Sequence, residues 1–177
     1  GSNARGWHFM VVTDEDKRAR ISEIYREVYA QYPSMPISAH ALAAQATGDD
    51  VPTMNAVASS ADALGANIHR APVLVIPCLM GRAPAIEGPM GDAARAAMFG
   101  SVLPAFWNFM LAARARGLGT CWTTLHLFRE QEVAKILGIP YDEVMQTALS
   151  PVAYTLGTDF KPAKGRGLET ALHVDSW

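Results

Sequence analysis

Residues 96–113, from Ala96 to Ala113, contain no charged side chain. A run of this length without charge has two destinations: a lipid bilayer, for which it is close to the minimum span, or the interior of a protein. Gly100, Ser101, Pro104 and Asn108 interrupt it. Those residues favour a protein interior, and no membrane span is expected. The pattern predicts a central buried helix over about Ser101 to Arg116. Val102, Phe106, Trp107, Phe109, Met110 and Leu111 make it apolar nearly all round. Arg114 and Arg116 fall at its negative end, and Gly117 stands where a chain leaves a helix through the left-handed region.

A chain of 177 residues suits a single domain. Apolar residues make up 50% and charged residues only 18%. That is more apolar surface than a monomer of this size needs, so a partner interface is expected, and the central helix points to a dimer. The net charge of −2 gives no footprint for nucleic acid. Cys78 and Cys121 form no CxxC pair, and the five histidines show no HxxxH spacing. Neither a disulfide scaffold nor a metal site is expected. No basic segment followed by an apolar stretch opens the sequence. A reducing, cytoplasmic setting fits best.

Trp7 to Val12 reads as a strand. Thr13 followed by Asp16 approximates a capping box for a helix running to about Tyr29, with Ile21, Ile24, Tyr25, Val28 and Tyr29 on one face. Residues 33–52 are rich in Ala, Ser, Gly and Pro without a clear period. They predict a flexible loop or lid, with room for a short helix near His40 to Ala46. A helix marked by Met54, Val57, Ala61, Leu64 and Ile68 follows. Val73 to Leu79 is a continuous apolar run, as in a strand buried on both faces. Gly81 to Gly91 reads as a loop. Residues 33–52 and 81–95 are candidates for lining a substrate mouth. Cys121 to Thr124 reads as a short strand or extended turn, and Glu130 to Leu137 as a helix stopped by Gly138. Gln146 to Tyr154 reads as a last strand, with Pro151 at a bulge or edge. The order predicts an α/β or α+β domain around a mixed central β-sheet.

Familiar catalytic motifs fail. Gly117-Leu118-Gly119 lacks the third glycine of a dinucleotide fingerprint and follows a helix rather than a strand. There is no P-loop and no GxSxG elbow. No nucleophile or carboxylate pair stands out, so no catalytic residue is assigned. If the chain is an enzyme, a cofactor carries the chemistry.

Five landmarks, in order, resemble the nitroreductase family. They are Gly1-Ser2-Asn3-Ala4-Arg5-Gly6-Trp7-His8-Phe9, the stretch FWNFMLAARARGLGTCWTT over 106–124, Leu137-Gly138-Ile139-Pro140, Leu156-Gly157, and Lys164-Gly165-Arg166. The resemblance implies an FMN-dependent oxidoreductase built as an intertwined homodimer with two flavins at the interface. It places Ser2 and Asn3 against a flavin held mainly by the other subunit. Thr123, Thr124 and Leu125 would follow the isoalloxazine edge, with a backbone N–H aimed at N5. Lys164 and Arg166 would hold the phosphate, a dianion suited to charged and forked donors. Arg5 stands where the family often has Gln, and would reach phosphate, reach a substrate carboxylate, or face solvent. Several relatives carry Glu at the position of Thr124, so only its backbone donor carries over. The family's Arg-Ser-x-Arg helix is absent, and by analogy about 40 residues are missing before this chain begins. Gly1 to Ala4 also match a cloning remnant.

The function implied is transfer of hydride from NAD(P)H, through flavin N5, to a nitroaromatic, quinone or related small-molecule acceptor by a ping-pong scheme. The alternative is a protein of the same fold that sequesters flavin without NAD(P)H turnover.

Overall fold

The computed structural model describes residues 5–157, 159–160 and 167–177. Ten main elements follow one another: β1 (Trp7–Val12), α1 (Glu15–Tyr29), α2 (Ala39–Gln45), α3 (Val51–Asn67), β2 (Val73–Met80), α4 (Gly88–Arg114), β3 (Leu118–Thr120), α5 (Glu130–Leu137), β4 (Val144–Gln146) and β5 (Ser150–Tyr154). The strands form one sheet in the order β1-β2-β5-β3, with β4 also paired to β2.

All ladders between these strands are antiparallel. The expected mixed sheet is therefore corrected. Its sole parallel contact among the described residues is an isolated bridge from Gly81 to Val144. The reason lies in β2. Its unbroken apolar run signals burial on both faces, and that signal carries no information about strand direction. Alternate residues of β2 serve different layers. Leu74, Ile76 and Cys78 pack with Ile21, Tyr25 and Val28 of α1 and with Val133 of α5. Val75 joins Phe106 of α4, and Leu79 joins Val102.

The last strand is also corrected. Two strands, β4 and β5, replace the expected continuous one, with the break at residues 147–149. The break lies beside Pro77 of β2, whose carbonyl accepts from both the backbone N–H (2.9 Å) and the hydroxyl (3.0 Å) of Thr147. Proline offers no N–H to a ladder, so the pairing is interrupted there.

Helix α1 begins where predicted, but its cap is Asp14 rather than Thr13. The Asp14 carboxylate accepts the Lys17 N–H at 2.9 Å. Residues 33–52 are not a structureless loop. They hold α2 and two 3-10 turns, Tyr32–Ser34 and Gly48–Asp50. Ser38, fully buried, caps α2 through the Ala41 N–H at 3.0 Å. Helix α5 ends as expected on Gly138, in the left-handed region at φ 69°.

Helix α4 departs most from expectation. It is one helix of 27 residues from Gly88, absorbing the last four residues of the predicted loop. The described residues do not enclose it. Only Gly91, Val102, Phe106 and Ala113 are buried, while Trp107 is 57% and Leu111 52% exposed. By length and composition it could cross a membrane. Its inner face, however, packs on the sheet through Val102 and Phe106.

One polar cluster ties the far end of the sheet to α5. The Arg82 guanidinium reaches both carboxylate oxygens of Glu130 (3.1 and 2.6 Å) and the carbonyls of Tyr141 (3.0 Å) and Val144 (3.3 Å). Glu130, its side chain 10% exposed, also accepts the Gln146 N–H at 2.8 Å. Removing the carboxylate would leave a partly buried guanidinium without its counter-charge. Glu130→Ala is expected to cost about 2–3 kcal/mol of stability, read as a lower urea midpoint with an unchanged slope. An unmoved midpoint would show that the pair contributes nothing.

Candidate functional site

The site is built on the turn that follows β3. Cys121 donates its backbone N–H to the Ser150 hydroxyl at 3.0 Å. Thr123 exchanges both backbone bonds with Leu149, at 3.0 and 2.8 Å. Thr124 then leaves the extended conformation (φ −131°, ψ 2°) and opens a 3-10 turn over Leu125–Arg129. The first bond of that turn runs from the Leu127 N–H to the Thr124 carbonyl at 2.9 Å. The N–H groups of Leu125 and His126 precede it, so neither has a partner within the turn.

Beside this turn lies a cavity of about 270 Å³. Tyr25 and Tyr29 of α1, Tyr32, and Ser60 and Leu64 of α3 form one side, and Trp122, Thr123 and Leu125 the other. None of its described lining residues is charged. The three tyrosines lie at helical spacing and overlap in sequence along one face. Tyr25 and Tyr29 stack at 6.4 Å and 13°, and Tyr29 and Tyr32 meet at 5.5 Å. Each hydroxyl is engaged: Tyr25 with Thr123 Oγ1 (2.9 Å), Tyr29 with Asp62 Oδ1 (2.7 Å), and Tyr32 with the Ala39 N–H (2.8 Å). Asp62 also meets His40 Nε2 at 3.0 Å, and its carboxyl is held below the ordinary range by the Tyr29 and His40 contacts. Burial pushes the Tyr25 phenol up to about 12, so it stays neutral. The close seat of α3 on α1 needs Gly65, where a Cβ would fall 2.5 Å from the Tyr29 ring.

The structure places the sequence-predicted residues unevenly. Thr123 and Leu125 line the cavity, and Thr124 lies exposed at its edge. The Thr123 N–H is spent on Leu149, which confines any free backbone donor to the residues after it. Arg5 is exposed, with φ 51°, before β1. The β1–β2 register sets Trp7 against Leu79, whereas the Thr123–Leu149 bridge lies level with the middle of β2. Arg5 is thus roughly 16 Å along the sheet from the turn, at ~3.3 Å per residue. One chain does not bring them together. Ser2, Asn3, Lys164 and Arg166 lie outside the described residues. Of the two proposed mouth segments, 33–52 contributes Ala39 to the cavity, and 81–95 contributes none of its described lining.

The one-face stripe that includes Tyr25 and Tyr29 does not disclose their role as a cavity wall. Their spacing with Tyr32 was the available signal. Trp122 is both: it meets Phe106 at 4.8 Å and lines the cavity.

The family model of the nitroreductase family matches residues 1–154. The chain belongs to the nitroreductase family. Solved structures agree on the fold. A BluB-like flavoprotein from Clostridium difficile 630 is similar at 20% identity and TM-score 0.65, covering 99% of this chain and 82% of that one. A variant of the FMN- and NADPH-dependent nitroreductase NfnB from Sphigopyxis sp. strain HMH follows at 16% identity and TM-score 0.60, covering 100% and 83%. An iodotyrosine deiodinase bound to FMN and 3-iodo-L-tyrosine follows at 20% and 0.54, covering 100% and 80%. No curated protein matches the sequence. This member of the family thus has the nitroreductase-like fold, with helices around an antiparallel sheet.

His126, in the same 3-10 turn, is fully buried, and neither ring nitrogen has a hydrogen-bond partner among the described residues. Burial lowers its pKa from 6.5 to about 3. The unfolded chain therefore takes up a proton near 6.5 and the native chain only near 3. Stability is full above pH 6.5 and is lost as pH falls through that window. Between pH 7 and pH 5 the loss from this residue is about 2 kcal/mol. His126→Phe is expected to remove that slope, measured by urea unfolding at the two pH values. A slope that persists in the variant would assign it to other groups.

Proposed function

We propose that the chain is an FMN-dependent oxidoreductase that takes reducing equivalents from NAD(P)H and passes them to a nitroaromatic, quinone or related acceptor. The observation that carries this reading is the uncharged, tyrosine-lined cavity set against the Thr123–Leu125 turn. Its volume of about 270 Å³ falls just below the roughly 300 Å³ at which small-molecule sites begin. It suits a flat ring system rather than a whole nucleotide. The residues present fit the ring half of FMN: aromatic and aliphatic walls, hydroxyl donors, and N–H groups of Leu125 and His126 that the fold leaves without partners in their turn. Thr123, Thr124 and Leu125 would hold the ring edge. Lys164 and Arg166 would take the phosphate, and Ser2, Asn3 and Arg5 would act on the flavin of a partner subunit.

The chemistry that FMN supplies when bound is hydride transfer at N5, from reduced nicotinamide in one half-cycle and to the acceptor in the other. This chain's residues bind and orient. No side chain need act as nucleophile, and the uncharged walls exclude water from the ring face.

A homodimer is part of the reading. The open face of α4, with Trp107 and Leu111, and the adjacent apolar hollow of Trp7, Phe9 and Phe109 are suited to a second copy. Arg5 and the Thr123 turn, far apart in one chain, could then meet across the interface.

Two measurements test the proposal. Purified protein mixed with FMN is expected to show a bound-flavin visible spectrum that bleaches on anaerobic addition of NADPH or NADH and returns with a quinone. No binding on titration would end the reading. Binding without bleaching would leave the sequestering protein instead. Light scattering should give twice 19.1 kDa, and Leu111→Arg should shift the mass toward the monomer. A monomeric wild type would remove the dimer.

A further inference from the structure

The Thr123–Leu125 turn is held by backbone on one side only. Leu149 fixes Thr123 through two main-chain bonds. From the other side a single side chain reaches it: among the described residues, the Tyr25 hydroxyl makes the one side-chain hydrogen bond to residues 123–125, at 2.9 Å from Thr123 Oγ1. The two residues come from separate elements, α1 and the turn after β3. Tyr25 is itself held firmly. Its ring is 2% exposed and stacked on Tyr29, which Asp62 anchors and against which Gly65 closes.

Two hydroxyls in contact share two hydrogens, and one of them is left over. If Thr123 donated to Tyr25, the phenol hydrogen would have to find another acceptor in a wall of aromatic and aliphatic groups. If Tyr25 donates, the Thr123 hydroxyl keeps its own hydrogen, on an atom that lines the cavity. The Tyr25 phenol, raised by burial, holds its proton at any ordinary pH, so the arrangement does not titrate away.

We propose that Tyr25 is a positioning residue: it donates to Thr123 Oγ1 and thereby turns the Thr123 hydroxyl hydrogen into the cavity, as a donor to the edge of the bound flavin ring. This rests on the FMN reading above. A donor fixed at the ring edge gains strength as the ring takes up negative charge on reduction, so it favours the reduced form.

The test uses full-length chain and FMN. Affinity is read by flavin fluorescence, and reduction potential by anaerobic titration against a dye of known potential. Tyr25→Phe is expected to weaken FMN binding on the order of tenfold. It should also lower the preference for reduced over oxidised FMN by a further factor of about ten, a shift of ~30 mV to more negative potential for the two-electron couple. Thr123→Val should reproduce both effects, and the double variant should be no worse than Thr123→Val alone. Thr123→Ser should keep affinity and potential within about twofold of the unsubstituted protein. A merely structural tyrosine would lower the melting temperature and leave the potential alone. If Tyr25→Phe does not fold, Thr123→Val decides, since Thr123 is only half-buried and its backbone bonds remain. Unchanged potential in the variants, with FMN bound normally by the unsubstituted protein, overturns this inference and leaves the FMN reading standing. Failure of the unsubstituted protein to bind FMN overturns both.

Discussion

Strand β2 is the element on which everything else is hung. A strand buried on both faces must satisfy its backbone N–H and carbonyl groups from its two edges, because water cannot reach it. β2 does this with β1 on one edge and β4 and β5 on the other. Its one defective residue, Pro77, sets where the opposite edge breaks, and Thr147 covers its carbonyl twice. The residues that leave the sheet at that break lead to Leu149, the backbone clamp of the candidate site. The position of the Thr123 turn thus follows from a proline two strands away.

The same dependence runs through the side chains. Even-numbered residues of β2 seat α1, and α1 with the turn that follows it presents Tyr25, Tyr29 and Tyr32 to the cavity. Odd-numbered residues seat α4, whose outer face the described residues do not cover. One strand therefore supports a polar-edged aromatic cavity on one layer and an open apolar surface on the other. The proposed flavin site and the proposed dimer face are consequences of one alternation.

Much of this was legible in the sequence, and the failures have common causes. The bounds of α1 and α5 followed from periodicity and from Gly138, which are local signals. The resemblance carried by residues 106–124 and 137–140 led to the family that the comparisons show. Strand direction did not follow, because burial is blind to it. The split of the last strand did not follow either, because its cause, Pro77, lies about seventy residues away in sequence at a standard pairing distance. Helix α4 was expected to be buried from its composition. Composition reports what must be covered, not which chain covers it. The tyrosine wall was not legible, because an aromatic stripe has the same spacing whether it faces a helix or a cavity. The cluster of His40, Asp62 and Tyr29 joins three helices and left no trace in local pattern.

The register of the sheet carries a further consequence for the order of events in folding. Every neighbour of β2 is remote in sequence: Trp7 pairs with Leu79, and Val73 with Val152. Closing such loops loses chain entropy before any ladder bond returns it, so the sheet is a late event and the helices, local in their contacts, are early ones. During that interval α4 already displays its apolar surface while the strands that will cover one side of it are still unpaired. The chain is therefore most prone to aggregation before its sheet closes, and the concentration at which it is refolded decides whether α4 first meets its own sheet or another molecule.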